Sequence, residues 1–148
     1  MKSAAARTIA SAAAAALALL LGACSSLGYR DAIEDLAQFE PLAESSRVRH
    51  ARGGERFARR VAAVLPAGVA QVGALHGRSF PRAPAVYVCG DDACFDRFVD
   101  ARWNFTAAVV YDNRLLLPPR LFVREPQRLV PILLHELSHA LVGRAMGI

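Results

Sequence analysis

Val130-Pro131-Ile132-Leu133-Leu134-His135-Glu136-Leu137-Ser138-His139-Ala140 sets the H-E-x-x-H pattern inside an apolar run. Ile132-Leu133-Leu134 before the motif and Ala140-Leu141-Val142 after it are apolar all round, which predicts a buried helix. Residues four apart on a helix lie one above the other, so His135 and His139 can aim a ring nitrogen at one metal ion. Glu136 falls about 100° further round, beside the metal rather than on it. From there its carboxylate can take a proton from water.

With this chain's own His and Glu frequencies the pattern would arise by chance with a probability of roughly 0.4%, so coincidence is a poor explanation. Burying two imidazoles and a carboxylate in an apolar helix is costly unless each has a partner. A metal ion supplies that partner for the two His. The plainer alternative is a pair of core histidines hydrogen-bonded to backbone or to nearby carboxylates. If the ion is Zn²⁺, it lowers the pKa of its water towards neutrality and polarises a carbonyl, which makes amide hydrolysis feasible.

The run from Val130 to Ala140 resembles the active-site helix of zincin metallopeptidases, in particular the gluzincin-like branch. The resemblance implies Zn²⁺ held by His135 and His139, Glu136 as the catalytic base, and a peptide or protein substrate. In that branch the third ligand is a Glu on a following helix some tens of residues downstream, whereas nine residues follow His139 here. The metzincin continuation is not met either, because Val142 and Ala145 stand where Gly and His are required. A catalytic zinc normally keeps three protein ligands and one open position. Three readings follow: the chain is an N-terminal piece of a longer protein, a residue such as His50, His76 or an Asp completes the site, or the site is non-functional. The first is favoured, because Met146-Gly147-Ile148 carries a C-cap signal with no later element to pack on.

The other end has the layout of a secretory signal. Lys2 and Arg7 precede an Ala/Leu-rich stretch from Ile9 to Leu21, and Leu21-Gly22-Ala23-Cys24 closes it. Those four residues resemble the bacterial lipobox, which implies lipidation of Cys24 and stable anchoring by several acyl chains. Ser25 after the Cys implies the outer membrane, facing the periplasm. A plain signal peptide with an incidental Cys, or an uncleaved anchor, is the alternative.

Residues 1–23 are thus expected to leave, 24–28 to form a tether, and 29–148 to form one small domain. Without Lys2 and Arg7 the net charge falls from +5 to +3. Seventeen of the eighteen basic residues are Arg, which with abundant Ala points to a GC-rich coding sequence. Nucleic acid is excluded as the expected partner of an exported chain. Cys89 and Cys94, separated by Gly90-Asp91-Asp92-Ala93, suit a local disulfide in an oxidising compartment, with metal ligation and free thiols as alternatives. So short a loop would gain only about 2 kcal/mol by chain entropy.

Between these landmarks, helical spacing predicts a helix from Tyr29 to Phe39, ended by Pro41. A second is predicted over 54–64 with Ala58, Val61, Ala62 and Leu65 inward, broken or kinked at Pro66-Ala67-Gly68 and resumed over 69–76. Arg49, Arg52, Arg56 and Arg60 are read as another face of that helix, solvated or touching anionic lipid. Ala85–Cys89 reads as a strand, and Asp91 or Asp92 as the cap of a short helix through Phe95, Phe98 and Val99. Calcium binding by those acids lacks the 12-residue loop pattern. Thr106–Tyr111 and Arg114–Leu117 read as a hairpin turning at Asp112-Asn113. Trp103 and Tyr111 read as core aromatics or pocket walls. Pro126 is expected to open the motif helix, and Pro131 to restart or kink it.

The expected architecture is therefore α+β: N-terminal helices, a small sheet and a C-terminal metal-binding helix in a zincin-like domain truncated at its C-terminus. By the same resemblance, Leu115-Leu116-Leu117 or Ala107-Ala108-Val109 would be an edge strand that takes substrate by strand addition. The expected activity is that of a membrane-anchored zinc metallopeptidase. The competing reading is a non-catalytic envelope lipoprotein whose motif is a relic or a structural metal site.

Overall fold

The computed structural model describes residues 36–99, 107–111 and 113–146. The signal segment, Cys24, the tether, most of the Tyr29–Phe39 helix, Trp103, Asp112 and the Gly147-Ile148 cap lie outside the described residues. After a 3₁₀ turn at Leu36–Gln38 come strands β1 (Glu40–Leu42) and β2 (Ser45–His50), helix α1 (Glu55–Leu75), strand β3 (Ala85–Val88) and helix α2 (Asp92–Asp96). Strands β4 (Val109–Tyr111) and β5 (Arg114–Leu117), helix α3 (Arg120–Val123), a 3₁₀ turn at Pro126–Arg128 and helix α4 (Leu129–Met146) complete the order.

The fold is α+β. Its sheet runs β1-β2-β3-β5-β4, with β2, β3 and β5 mutually parallel and the two outer strands antiparallel to their neighbours. Among the described residues two strands precede the long helix α1, which corrects the expectation that α1 lies ahead of the whole sheet. β1 and β2 escaped notice because Ser45-Ser46-Arg47-Val48-Arg49-His50 places only Val48 in the core and lacks an apolar alternation. Pro41 does not terminate a helix. It sits in edge strand β1, where its missing N–H breaks no inner ladder, and the register slips beside it.

Alternation along the central strands separates two faces. Val86, Val88, Leu115 and Leu117 join the main core under α1 and α4. Tyr87, one residue out of step, meets the edge of Phe39 at 5.4 Å, and Phe39 lies 5.8 Å from Phe98 on the same side.

α1 is one continuous helix, which corrects the break, the first of the two alternatives at Pro66-Ala67-Gly68. A proline inside a helix costs about 3 kcal/mol through its lost hydrogen bond and ring clash. Pro66 is exposed, so water can reach the carbonyl it leaves unpaired. Phe57, Ala58, Val61, Leu65, Gly68 and Val72 are buried on the other face, and this packing outweighs the local penalty. The expected arginine face is also corrected: Arg49 belongs to β2 and donates from Nη1 to the Phe39 carbonyl at 3.3 Å, and Arg52 lies in the turn after it. Arg56 and Arg60 remain on α1 and sit over the Phe122 ring at 5.5 and 5.2 Å.

The β4–β5 turn is held by Asn113, buried at φ 64°, a backbone region Asn tolerates better than most residues. Its Nδ2 donates to the Arg82 carbonyl at 3.3 Å, and its own carbonyl accepts from Ala85 N–H at 3.1 Å. Asp91 caps α2 by accepting the Cys94 N–H at 2.7 Å, and Cys89 and Cys94 are joined by a disulfide with Cα atoms 5.6 Å apart.

α4 is not buried all round, which corrects the first expectation drawn from its composition. Leu129, Leu133, Leu137, Ala140 and Leu141 form its buried stripe, and His135 and His139 are exposed. Pro131 is the third residue of α4, inside the first turn, where its absent N–H has no intrahelical partner to lose. It therefore neither restarts nor kinks the helix. The stripe meets α1 at Gly68, where a Cβ would stand 3.2 Å from Leu137 Cδ1 and 3.6 Å from Leu134 Cδ2.

Leu137, fully buried at this crossing, should lose roughly 3 kcal/mol of unfolding free energy on replacement by Ala. Leu75→Ala, at a position 77% exposed, should change it by less than about 0.5 kcal/mol. Urea titration reads both as midpoint shifts at unchanged slope. A Leu137→Ala loss no larger than the Leu75→Ala value would remove this crossing as the anchor of α4.

Candidate metal centre

Packing of Leu133 and Leu137 against α1 fixes the rotation of α4 and turns the opposite face outward. Residues two before and two after Leu137 lie about 200° from it, which puts His135 and His139 on the exposed side. The two rings converge there. Nε2 of His135 and Nε2 of His139 are 3.0 Å apart, ring centroids are 4.5 Å apart, and the planes cross at 81°. In a tetrahedral zinc site with Zn–N bonds of about 2.05 Å, two ligating nitrogens stand about 3.3 Å apart. The pair thus fits two ligand positions with a shift of a few tenths of an ångström.

Because both rings are exposed, the argument that a metal must repay their burial does not apply to them. It survives for Glu136, which is half-buried. Burial pushes its carboxyl above the ordinary value, and the neighbouring His135 and His139 pull it part of the way back. A carboxylate so adjusted holds a proton more readily, which suits a general base working nearer neutrality.

Among the described residues no group of three or more His, Cys, Asp or Glu is placed to hold a metal ion. His50 lies in β2 with Nδ1 3.2 Å from the Ala51 carbonyl, and His76 caps the end of α1, so neither joins His135 and His139. Cys89 and Cys94 are spent on each other, Asp91 caps α2, and Asp92 stands 3.6 Å from Arg124. Among the described residues no third donor stands with His135 and His139.

The candidate substrate strand also changes. Leu115-Leu116-Leu117 belongs to β5, hydrogen-bonded on both sides to β3 and β4, and cannot accept another strand. Ala107 and Ala108 precede β4 rather than belong to it. The strand beside α4 that ends the sheet is β4, Val109–Tyr111. The second of the two strands offered by the sequence thus overlaps the edge at Val109, and the sequence could not choose between them because edge and centre differ only in pairing, which apolar content does not encode.

No protein-family model, curated protein or solved structure matches the chain. Among the described residues no helix is long and apolar enough to cross a membrane.

The raised Glu136 value makes a stability statement. The folded chain binds this proton more tightly than the unfolded chain, so the contribution is fully present below the unfolded carboxylate range and is lost as pH rises through the folded value. Glu136→Gln should therefore raise the thermal midpoint of the chelator-treated protein near pH 7 and have no such effect at about pH 3, where both states are protonated. Equal shifts at the two pH values would contradict a burial-raised carboxyl.

Proposed function

We propose that the chain is a zinc metallopeptidase-like protein of a zincin-like fold, exported and held at the bacterial envelope through acyl chains on Cys24. The observation that carries this reading is the convergence of His135 and His139 Nε2 atoms, 3.0 Å apart on one exposed helix face, with half-buried Glu136 between them in sequence. A mixed sheet whose antiparallel outer strand β4 packs beside α4 supports the finer fold assignment.

A bound Zn²⁺ would supply Lewis acidity for a peptide carbonyl and a water of near-neutral pKa. His135 and His139 would each hold a neutral ring with Nε2 unprotonated and directed outward. Glu136 would receive the proton of the attacking water on its carboxylate and deliver it to the departing amine. Its partial burial limits competing hydration. β4 would offer its free edge to an extended peptide, which aligns a scissile bond with the helix face. The reading takes the third ligand from outside the described residues.

Exposure of both His and the two-donor site favour a second reading: a non-catalytic envelope lipoprotein in which the motif is a relic or a structural metal site. Zinc stoichiometry on the purified chain separates the peptidase from a relic motif, and hydrolysis by the Glu136→Gln variant separates it from a structural metal site. One equivalent of zinc, lost in His139→Ala, is the expected result; a folded protein that stays metal-free would overturn the peptidase reading. Glu136→Gln should retain zinc and lose peptide hydrolysis by about 10²-fold or more. Unchanged hydrolysis would reject Glu136 as the base. For the anchor, Cys24→Ser should move the protein from the membrane to the soluble fraction, and unchanged fractionation would reject acylation there.

A further inference from the structure

The charged groove at the far end of α1 belongs to no part of the reading above. It measures about 740 Å³, within the range of small-molecule sites, and runs between β2, the last turns of α1 and the loop 77–83. Arg47 enters it from β2, and Arg78 and Arg82 from the two ends of the loop, while among the described residues its lining includes no Asp or Glu. All three arginines are exposed, and among the described residues none of their side chains has a hydrogen bond, ion pair or ring contact. Elsewhere on the same surface arginines are engaged: Arg59 pairs with Glu44 and Glu55, and Arg128 with Glu125.

The backbone that carries these charges is built to hold its place. Gly77, at φ 60°, ends α1 in a Schellman turn: its N–H bonds to the Ala74 carbonyl at 3.2 Å, and the Arg78 N–H to the Gly73 carbonyl at 2.9 Å. At the other end the Arg82 carbonyl is fixed by the buried Asn113 side chain. Phe80 and Val69 also line the groove and pack on the main core, so an apolar floor lies beneath a cationic rim.

We infer that this groove binds a phosphate group carried on an apolar body, such as the headgroup and upper acyl region of an anionic glycerophospholipid. Three guanidinium groups, one from β2 and two from the ends of a loop, suit a tetrahedral, multi-oxygen anion better than a single carboxylate, because each fork can meet a different pair of oxygens. The apolar floor rewards a ligand larger than the bare ion.

Titration calorimetry on the full chain uses three probes: dihexanoyl phosphatidylglycerol below its micelle concentration, dihexanoyl phosphatidylcholine, and inorganic phosphate. The anionic lipid should bind at least about tenfold more tightly than the other two, and Arg78→Gln and Arg82→Gln should each weaken it by about tenfold. Raising the salt concentration should weaken it further. Inorganic phosphate binding as tightly as the anionic lipid, and lost in the same variants, would support the anion site with free phosphate as its source. Phosphatidylcholine binding as tightly as phosphatidylglycerol would overturn the proposal. So would the absence of binding by every probe, or unchanged lipid affinity in an Arg47→Gln, Arg78→Gln, Arg82→Gln variant that keeps its circular dichroism spectrum. The substituted side chains are exposed and none belongs to the helix that carries His135, Glu136 and His139, so the zinc content of the chain is an independent control.

Discussion

The crossing of α1 and α4 at Gly68 and Leu137 governs the rest. No Cβ stands at Gly68, so Leu137 can approach the α1 backbone and the two helices can share one face of the sheet. A methyl group there would have to displace a Leu side chain in a core packed like a crystal. With Leu133 and Leu137 committed inward, helical geometry leaves His135 and His139 nowhere to point but outward. The candidate chemistry is thus a by-product of a packing constraint on its neighbours, and any change that rotates α4 separates the histidines from their side of the molecule.

Much of this was legible along the chain, and the failures have identifiable causes. Val86 and Val88, or Leu115 and Leu117, announce strands through β-branched and apolar content, and Asp91 announces a cap through its position before Cys94. The His pair is legible because spacing of four is a purely local property of a helix. Pro66 misled because local propensity was weighed without the six buried side chains that stabilise α1 across it. β2 was hidden because a strand with charged residues on both sides of Val48 has no periodic signature. The exposure of the motif was missed since Ile132, Leu134 and Val142 read as core by type, while only Leu129, Leu133, Leu137, Ala140 and Leu141 contact the interior fully. Burial is a relation between elements, and α1 was not in the window from which it was judged.

The two candidate sites differ in how they are made. The histidine pair comes from one turn of one helix, and its geometry would survive in the helix alone. The arginine groove is assembled from β2 and from both ends of a loop, each end secured by a left-handed residue, Gly77 or Asn113. No reading of Arg47, Arg78 and Arg82 in sequence could group them, because thirty residues lie between the first and the second and α1 is among them. Long-range assembly of like charges carries a repulsive cost in the folded state.

The two margins of the sheet are unlike each other. On the β1 side, three residues, a proline without a donor and a slipped register leave little for another chain to pair with. On the β4 side the margin keeps its amide groups, and among the described residues no strand pairs with it. Fibrous growth needs two adhesive borders, one to receive and one to offer. Among the described residues the sheet offers one such border, through which a second copy would meet it border to border and leave none for a third.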